Sequence, residues 1–133
     1  MKEPIWVTRE VILATQEELL GRFGGLAGIR DEGLLDSALH RPRHVYAYGQ
    51  PTLFDLAAEY AIGIVKNHPF IDGNKRAGFM AAYIFLGANG VELDVPEEEV
   101  VLQTLALAAG ELGRKEYAAW LKKSCGGKKT SRR

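Results

Sequence analysis

Residues 68–88, HPFIDGNKRAGFMAAYIFLGA, decide how the chain folds. Their first nine positions hold a histidine, an aspartate, an asparagine, a lysine and an arginine, and almost every later position is apolar. The apolar run from Ala77 to Ala88 is too short to cross a bilayer and is typical of a core helix. Because it is apolar on all sides, it predicts a helix from about Asn74 to just before Gly90 that is surrounded by protein.

Capping signals and apolar periodicity on either side of this stretch predict further helices and too few strands for a sheet. Thr8 can cap a helix that runs to about Phe23. Thr52, followed three residues later by Asp55, has the pattern of a capping box for a helix that ends near Asn67. The chain is therefore expected to be helical before and after the reactive stretch.

The predicted fold class is all-α: a single-domain bundle of about six helices around a buried central helix, which we take to be the fourth. Pro96 suits the first position of a fifth helix, and residues 115–124 form a sixth. We place the domain at residues 1–123. Residues 124–133 are predicted to be a flexible basic tail.

Asp31 can cap a short second helix, which we expect Pro42 to end. The segment that follows, RPRHVYAYGQP (41–51), then has proline at both ends and is predicted to be a surface loop. Tyr46 and Tyr48 lie in it. They could pack on the protein's own helices.

Composition excludes several classes of protein. Acidic and basic residues balance at 17 each, so no global field favours nucleic acid or an anionic membrane. The single cysteine excludes an internal disulfide framework and fits a reducing compartment. The start of the chain lacks the pattern of a signal peptide. We expect a cytoplasmic protein with no membrane partner and no direct nucleic-acid partner.

The reactive stretch has the composition of an anion site at a helix N-terminus. The first turn of a helix has unpaired N–H groups, Gly73 lets a ligand approach them, and Lys75 and Arg76 add positive charge. A carboxylate beside phosphates, here Asp72, is how Mg²⁺ is commonly held. His68 is the side chain best suited to take a proton from a hydroxyl near neutral pH. Together these groups predict phosphoryl or nucleotidyl transfer.

Each of these residues also has a structural explanation. His68 could brace the loop, and Asp72 could pair with Lys75 or Arg76, since structural ion pairs are common. The stretch does not match the phosphate-binding loop of nucleotide hydrolases, because no glycine stands at the required spacing before Lys75. The case for a site rests on the whole cluster meeting at one helix terminus.

HPFIDGNKR resembles the signature of the Fic/Doc superfamily, HPFxxGN followed by Gly-Arg or Lys-Arg. The lysine form resembles the Doc branch, the "death on curing" toxins of toxin–antitoxin pairs. Residues 24–39, GGLAGIRDEGLLDSAL, and residues 85–90, FLGANG, are also similar to Doc-like proteins. The resemblance covers about residues 5–123.

The resemblance implies a helical fold with the motif between two central helices, and ATP and Mg²⁺ as cofactors. It also implies a role for each motif residue: His68 as general base, Asp72 at Mg²⁺, Gly73 and Asn74 at a phosphate-binding hole, Lys75 and Arg76 at the phosphates, and Pro69 and Phe70 as scaffold. Tyr46 and Tyr48 would form the flap that aligns the target.

Two departures separate this chain from AMP-transferring Fic proteins. Lys75 replaces a glycine, and Phe79 replaces a second arginine that helps to orient the terminal phosphate. Doc-like members share both departures and resemble kinases that phosphorylate elongation factor Tu and so arrest translation. We therefore expect transfer of the γ-phosphate of ATP, with AMP transfer and a non-catalytic phosphate- or peptide-binding module as alternatives. A cognate antitoxin is expected to place its C-terminal segment in a groove near the active site.

Overall fold

The computed structural model describes residues 2–126, which form six helices and no sheet. The predicted all-α class is confirmed. The helices are α1 (Arg9–Phe23), α2 (Glu32–Tyr48), α3 (Leu53–Asn67), α4 (Asn74–Ala88), α5 (Glu97–Ala108) and α6 (Arg114–Ser124). Two isolated antiparallel bridges, Ile29 with Phe70 and Leu93 with Cys125, tie loop segments together.

The predicted caps fix where three of the helices begin. The side chains of Thr8 and Asp31 each accept a hydrogen bond from the backbone N–H three residues further on, at the starts of α1 and α2. At the start of α3, Thr52 and Asp55 form a reciprocal capping box with bonds of 2.9 and 3.1 Å. Each cap satisfies backbone donors that the first helical turn leaves unpaired.

The central buried helix is α3, whereas the sequence had indicated α4. Residues 56–65 of α3 are all buried, because the helix packs against α2, α4, α5 and α6. α4 buries one side, including Ala77, Gly78 and Ala81, but leaves Lys75, Arg76 and Tyr83 exposed to solvent. The apolar composition of α4 therefore reflects close packing on one face.

Pro42 does not end the second helix, so the loop predicted for residues 41–51 is wrong at 41–48 and holds only at 49–51. α2 continues through Pro42 to Tyr48. Pro42 removes the N–H that would reach the carbonyl of Ala38, but its ring is fully buried. Gly63 lets α3 approach Ala38 so closely that a Cβ built on it would lie 3.1 Å from the Ala38 Cα. Packing against α3 thus maintains the helix past the proline.

Three residues that the prediction assigned to the tail, at positions 124–126, are part of the folded structure. Ser124 ends α6, Cys125 bridges Leu93, and the N–H of Gly126 donates to the carbonyl of Glu92. These three residues belong to the fold, and the remaining tail positions, 127–133, lie outside the described residues. Within the described chain, no helix is long and apolar enough to cross a membrane.

Candidate active site

The reactive residues occupy the connection between α3 and α4, which we call the motif loop (residues 68–73). His68 is the C-cap of α3, and its N–H donates to the carbonyl of Ile64 at 3.0 Å. Its backbone is left-handed, with φ of 55°, and no other described non-glycine residue has a positive φ. Such a conformation costs about 1 kcal/mol or more in a residue with a Cβ. This conformation turns the chain sharply at the end of α3, and the His68 side chain is exposed to solvent.

Pro69 and Phe70 anchor the motif loop. Phe70 is 1% exposed and lies in the hydrophobic core. The carbonyl of Pro69 accepts hydrogen bonds from the N–H groups of Arg30 and Asp31, at 2.6 and 3.1 Å. The Arg30 guanidinium adds a bond of 2.7 Å from Nε to the carbonyl of His68. The backbone around His68 is therefore held by the packing of Phe70 in the core and by the hydrogen bonds from Arg30 and Asp31.

Asn74 organises the motif loop with its side chain. Oδ1 accepts from the N–H of Phe70 and Nδ2 donates to the carbonyl of Phe70, each at 3.0 Å. The residue is only 3% exposed. Because both polar atoms of its amide bond to the loop and the residue is buried, Asn74 is placed to offer a phosphate its backbone N–H rather than its side chain.

The first turn of α4 is open to a ligand. Gly73, the N-cap, has φ of 76°, and no side chain among the described residues caps this terminus. Lys75 and Arg76 are both exposed beside it. The Arg76 guanidinium lies 4.4 Å from the ring centroid of Phe23, at the end of α1. Unpaired N–H groups, a positive helix end and two cations give this surface the properties of an anion site.

Asp72 is exposed and keeps capacity for a cation. Its Oδ1 accepts from the N–H of Gly73 at 2.9 Å and its Oδ2 from the N–H of Leu26 at 3.2 Å. Each carboxylate oxygen has a second lone pair. Asp72 is absent from the ion pairs of the described chain, so the alternative in which it pairs with Lys75 or Arg76 does not hold here.

The flap prediction for Tyr46 and Tyr48 is not supported by their positions. α2 and α3 are antiparallel, and the motif loop adjoins the start of α2, where Asn67 Nδ2 donates to the carbonyl of Leu34. Tyr46 and Tyr48 lie at the other end of α2, about 20 Å away at 1.5 Å per residue. Tyr46 packs edge-on against Trp6 instead.

The segment that does border the motif loop is residues 24–30, which we call the flanking segment. Its Gly28 accepts from the N–H of Ile71 at 3.1 Å. A Cβ on Gly25 would lie 3.0 Å from Asp72 Oδ2, and one on Gly28 would lie 2.9 Å from Ile71 Cδ1. The segment holds three glycines, at positions 24, 25 and 28. The number of glycines is the sequence signal that another stretch of backbone, here the motif loop, passes close to this segment.

Comparisons with known proteins find a matching family and two similar sequences. The model of the Fic/DOC family matches residues 6–86. The chain is 42% identical over 91 residues to Toxin Doc of Mycolicibacterium smegmatis, covering 63% of this chain and 69% of that protein. It is 32% identical over 122 residues to Protein kinase doc of Escherichia phage P1, covering 90% of this chain and 95% of that protein.

Proposed function

The chain belongs to the Fic/DOC family, as a Doc-like member, and we propose that it is a toxin that transfers the γ-phosphate of ATP to a hydroxyl of a target protein. One of its relatives is named a protein kinase. The observation that carries the proposal is the pairing of an uncapped helix N-terminus with an exposed histidine at the other end of one short, rigid loop.

In the proposed reaction, His68 takes the proton of the target hydroxyl at a ring nitrogen. The hydroxyl oxygen forms a bond to the γ-phosphorus, the bond from that phosphorus to the bridging oxygen breaks, and ADP leaves. The first N–H groups of α4, with Lys75 and Arg76, stabilise the charge on the phosphates. The bonds from Arg30 and Asp31 to the motif loop would hold His68 in place during the transfer.

The residues present fit a magnesium ion of the kind that binds with nucleotide. Asp72 is exposed and has free lone pairs, and no group of three histidine, cysteine or acidic side chains is close enough to form a cage among the described residues. Mg²⁺ is typically bound by one or two carboxylates together with phosphates and water. When bound, it would neutralise phosphate charge.

Phe79 favours phosphate transfer over AMP transfer. It is half-buried and packs its ring against those of Trp120 and Tyr83, at centroid distances of 6.2 and 6.1 Å. The position that holds a second phosphate-binding arginine in AMP-transferring relatives is therefore part of the contact between α4 and α6. A nucleotide without that arginine would be free to present its γ-phosphate to His68.

We also propose that a cognate antitoxin covers the site and that elongation factor Tu is the target. Three large apolar side chains in or beside the motif loop and the first turn of α4 are exposed: Phe23 by 47%, Leu26 by 68% and Ile71 by 46%. Clustered exposed apolar groups of this kind commonly mark a protein interface. An antitoxin segment laid across them would block access to His68.

The deciding experiment follows labelled ATP in a bacterial translation extract. Purified chain receives ATP labelled at the γ-phosphate in one aliquot and at the α-phosphate in another. His68→Asn removes the base but suits the left-handed backbone, and His40→Asn, on the exposed face of α2, is the matched control.

Label from γ only, present with His40→Asn and absent with His68→Asn, is the expected result. Label from α would mean AMP transfer and would overturn the argument from Phe79. Label from neither, with toxicity that survives His68→Asn, would favour the non-catalytic binding module. The identity of the labelled band tests the proposal for elongation factor Tu.

A further inference from the structure

Gln16 is a buried polar residue of α1 that touches the motif loop. It is 5% exposed, and its Nε2 donates to the main-chain oxygen of Asp72 at 2.7 Å. Its Oε1 is buried and has no hydrogen-bond partner, the one such side-chain atom among the described residues. Buried acceptors are nearly always paired, so an unpaired one calls for an explanation.

The orientation of the amide is fixed by its surroundings. If the nitrogen and oxygen of Gln16 were exchanged, Oε1 would face the main-chain oxygen of Asp72, and two acceptors would meet at 2.7 Å. Oε1 therefore lies on the other side. Both polar atoms of the amide lie beside Gly73, where a built Cβ would be 3.3 Å from Nε2 and 3.7 Å from Oε1.

The group that pairs with Oε1, beside the N-cap of α4, must be a hydrogen-bond donor. A phosphate has only acceptor oxygens, so it cannot satisfy Oε1. Water in the shell of a divalent cation is a strong donor, and Mg²⁺ usually keeps several waters when it binds. The one carboxylate of the motif loop, Asp72, is on the residue that Gln16 already holds.

We propose that Gln16 Oε1 accepts a hydrogen bond from a water of the hydrated divalent cation that binds at Asp72. Gln16 is then a positioning residue with two functions. Nε2 fixes the backbone of Asp72, and Oε1 holds the cation's water on the α1 side of the site. The inference rests on the proposed function, because it takes Asp72 as the residue that binds the cation.

The test measures Mn²⁺ binding by the full chain, with and without ADP, as the loss of the electron spin resonance signal of free Mn²⁺. Gln16→Met keeps the length of the side chain and removes both polar atoms. Gln16→Glu keeps an oxygen acceptor, and Asp72→Asn reports whether the cation binds at Asp72 at all. Melting temperatures with and without Mn²⁺ accompany each titration.

We expect Gln16→Met to weaken Mn²⁺ binding about five- to tenfold, the effect of one lost hydrogen bond. Gln16→Glu keeps an acceptor but loses the bond from Nε2 to the main-chain oxygen of Asp72, so it should bind more weakly than wild type and more tightly than Gln16→Met. The rise in melting temperature on adding Mn²⁺ should be smaller in Gln16→Met than in wild type. A purely structural role would lower the melting temperature equally with and without Mn²⁺.

Two results would overturn the inference and leave the proposed cation site intact: unchanged Mn²⁺ affinity in Gln16→Met, or equal loss in Gln16→Met and Gln16→Glu. The second result would mean that only the bond to the main-chain oxygen of Asp72 matters. Unchanged affinity in Asp72→Asn would instead contradict the cation site itself, and with it the premise about Gln16.

Discussion

The side chain of Asn74 closes a ring with the backbone of Phe70, accepting from its N–H and donating to its carbonyl, each at 3.0 Å. One residue thereby joins the first turn of α4 to the most buried point of the motif loop. The ring explains how a loop between two helices can hold His68 in a strained conformation. It also reserves the amide of Asn74 for structure and leaves the helix terminus to the ligand.

We expect Asn74→Ala to lower the free energy of unfolding by about 2–4 kcal/mol, because it leaves the buried N–H and carbonyl of Phe70 unpaired. Urea unfolding of the purified chain measures the loss. Asn67→Ala is the matched control, since it removes one half-buried bond, from Nδ2 to the carbonyl of Leu34, and should cost about 1 kcal/mol. Equal losses in the two variants would contradict the role given to the ring.

His68→Gly is expected to separate stability from activity. Glycine adopts a φ of 55° without steric cost, so relief of strain should raise the free energy of unfolding by up to about 1 kcal/mol. The same change removes the proposed base and should lower phosphate transfer about 10²- to 10⁴-fold. Lys66→Gly, in the last turn of α3, should destabilise by about 0.5–1 kcal/mol. A destabilised His68→Gly would show that the His68 imidazole makes contacts that support the fold.

Features of the fold that depend on neighbouring residues could be predicted from the sequence, and features that depend on distant residues could not. The caps at Thr8, Asp31 and Thr52 were predicted because a cap involves residues three positions apart. The continuation of α2 past Pro42 was not predicted, because burial of the proline depends on Gly63 in another helix.

Long-range pairing limits the prediction of the core and of the site in the same way. Glu59 looked like a solvent-facing residue of α3, but its side chain is buried between Arg41 of α2 and Arg114 of α6. The chemistry-bearing residues of the motif are adjacent in sequence and could be found. Gln16 and the flanking segment come from elsewhere in the chain, and only the fold brings them to the motif loop.

Stability should fall at alkaline pH because of two buried tyrosines. Burial raises the pKa of Tyr117 from 10.0 to about 12, opposed by its hydrogen bond with Thr104, and burial also raises the pKa of Tyr60, opposed by its bond from the Val7 N–H. The unfolded chain loses these protons above pH 10 while the folded chain keeps them. The stabilisation is therefore complete below pH 10 and is lost as pH rises toward 12, by about 2–3 kcal/mol for Tyr117.

Urea unfolding at pH 8.5, 10 and 11.5 measures this loss. Tyr117→Phe removes one of the two groups and should flatten the decline, while Tyr48→Phe, at an exposed position, should leave it unchanged. A decline of the same slope in all three proteins would assign the alkaline loss to other groups.

The contact between α3 and α4 leaves no room for a methyl group at Gly78, where a Cβ would lie 2.7 Å from Val65 Cγ2 and 3.2 Å from the carbonyl oxygen of Ala61. Gly78→Ala should therefore destabilise the fold by about 1–3 kcal/mol, although alanine favours helix. Gly87 lies in the same helix with nothing within 4 Å of a built Cβ, so Gly87→Ala should stabilise by about 0.5–1 kcal/mol. Thermal unfolding of the two variants gives opposite signs if α4 is positioned by this contact. A stabilised Gly78→Ala would mean that α4 can move away from α3 at little cost, and the motif loop would then lack the rigid support that the proposed chemistry requires.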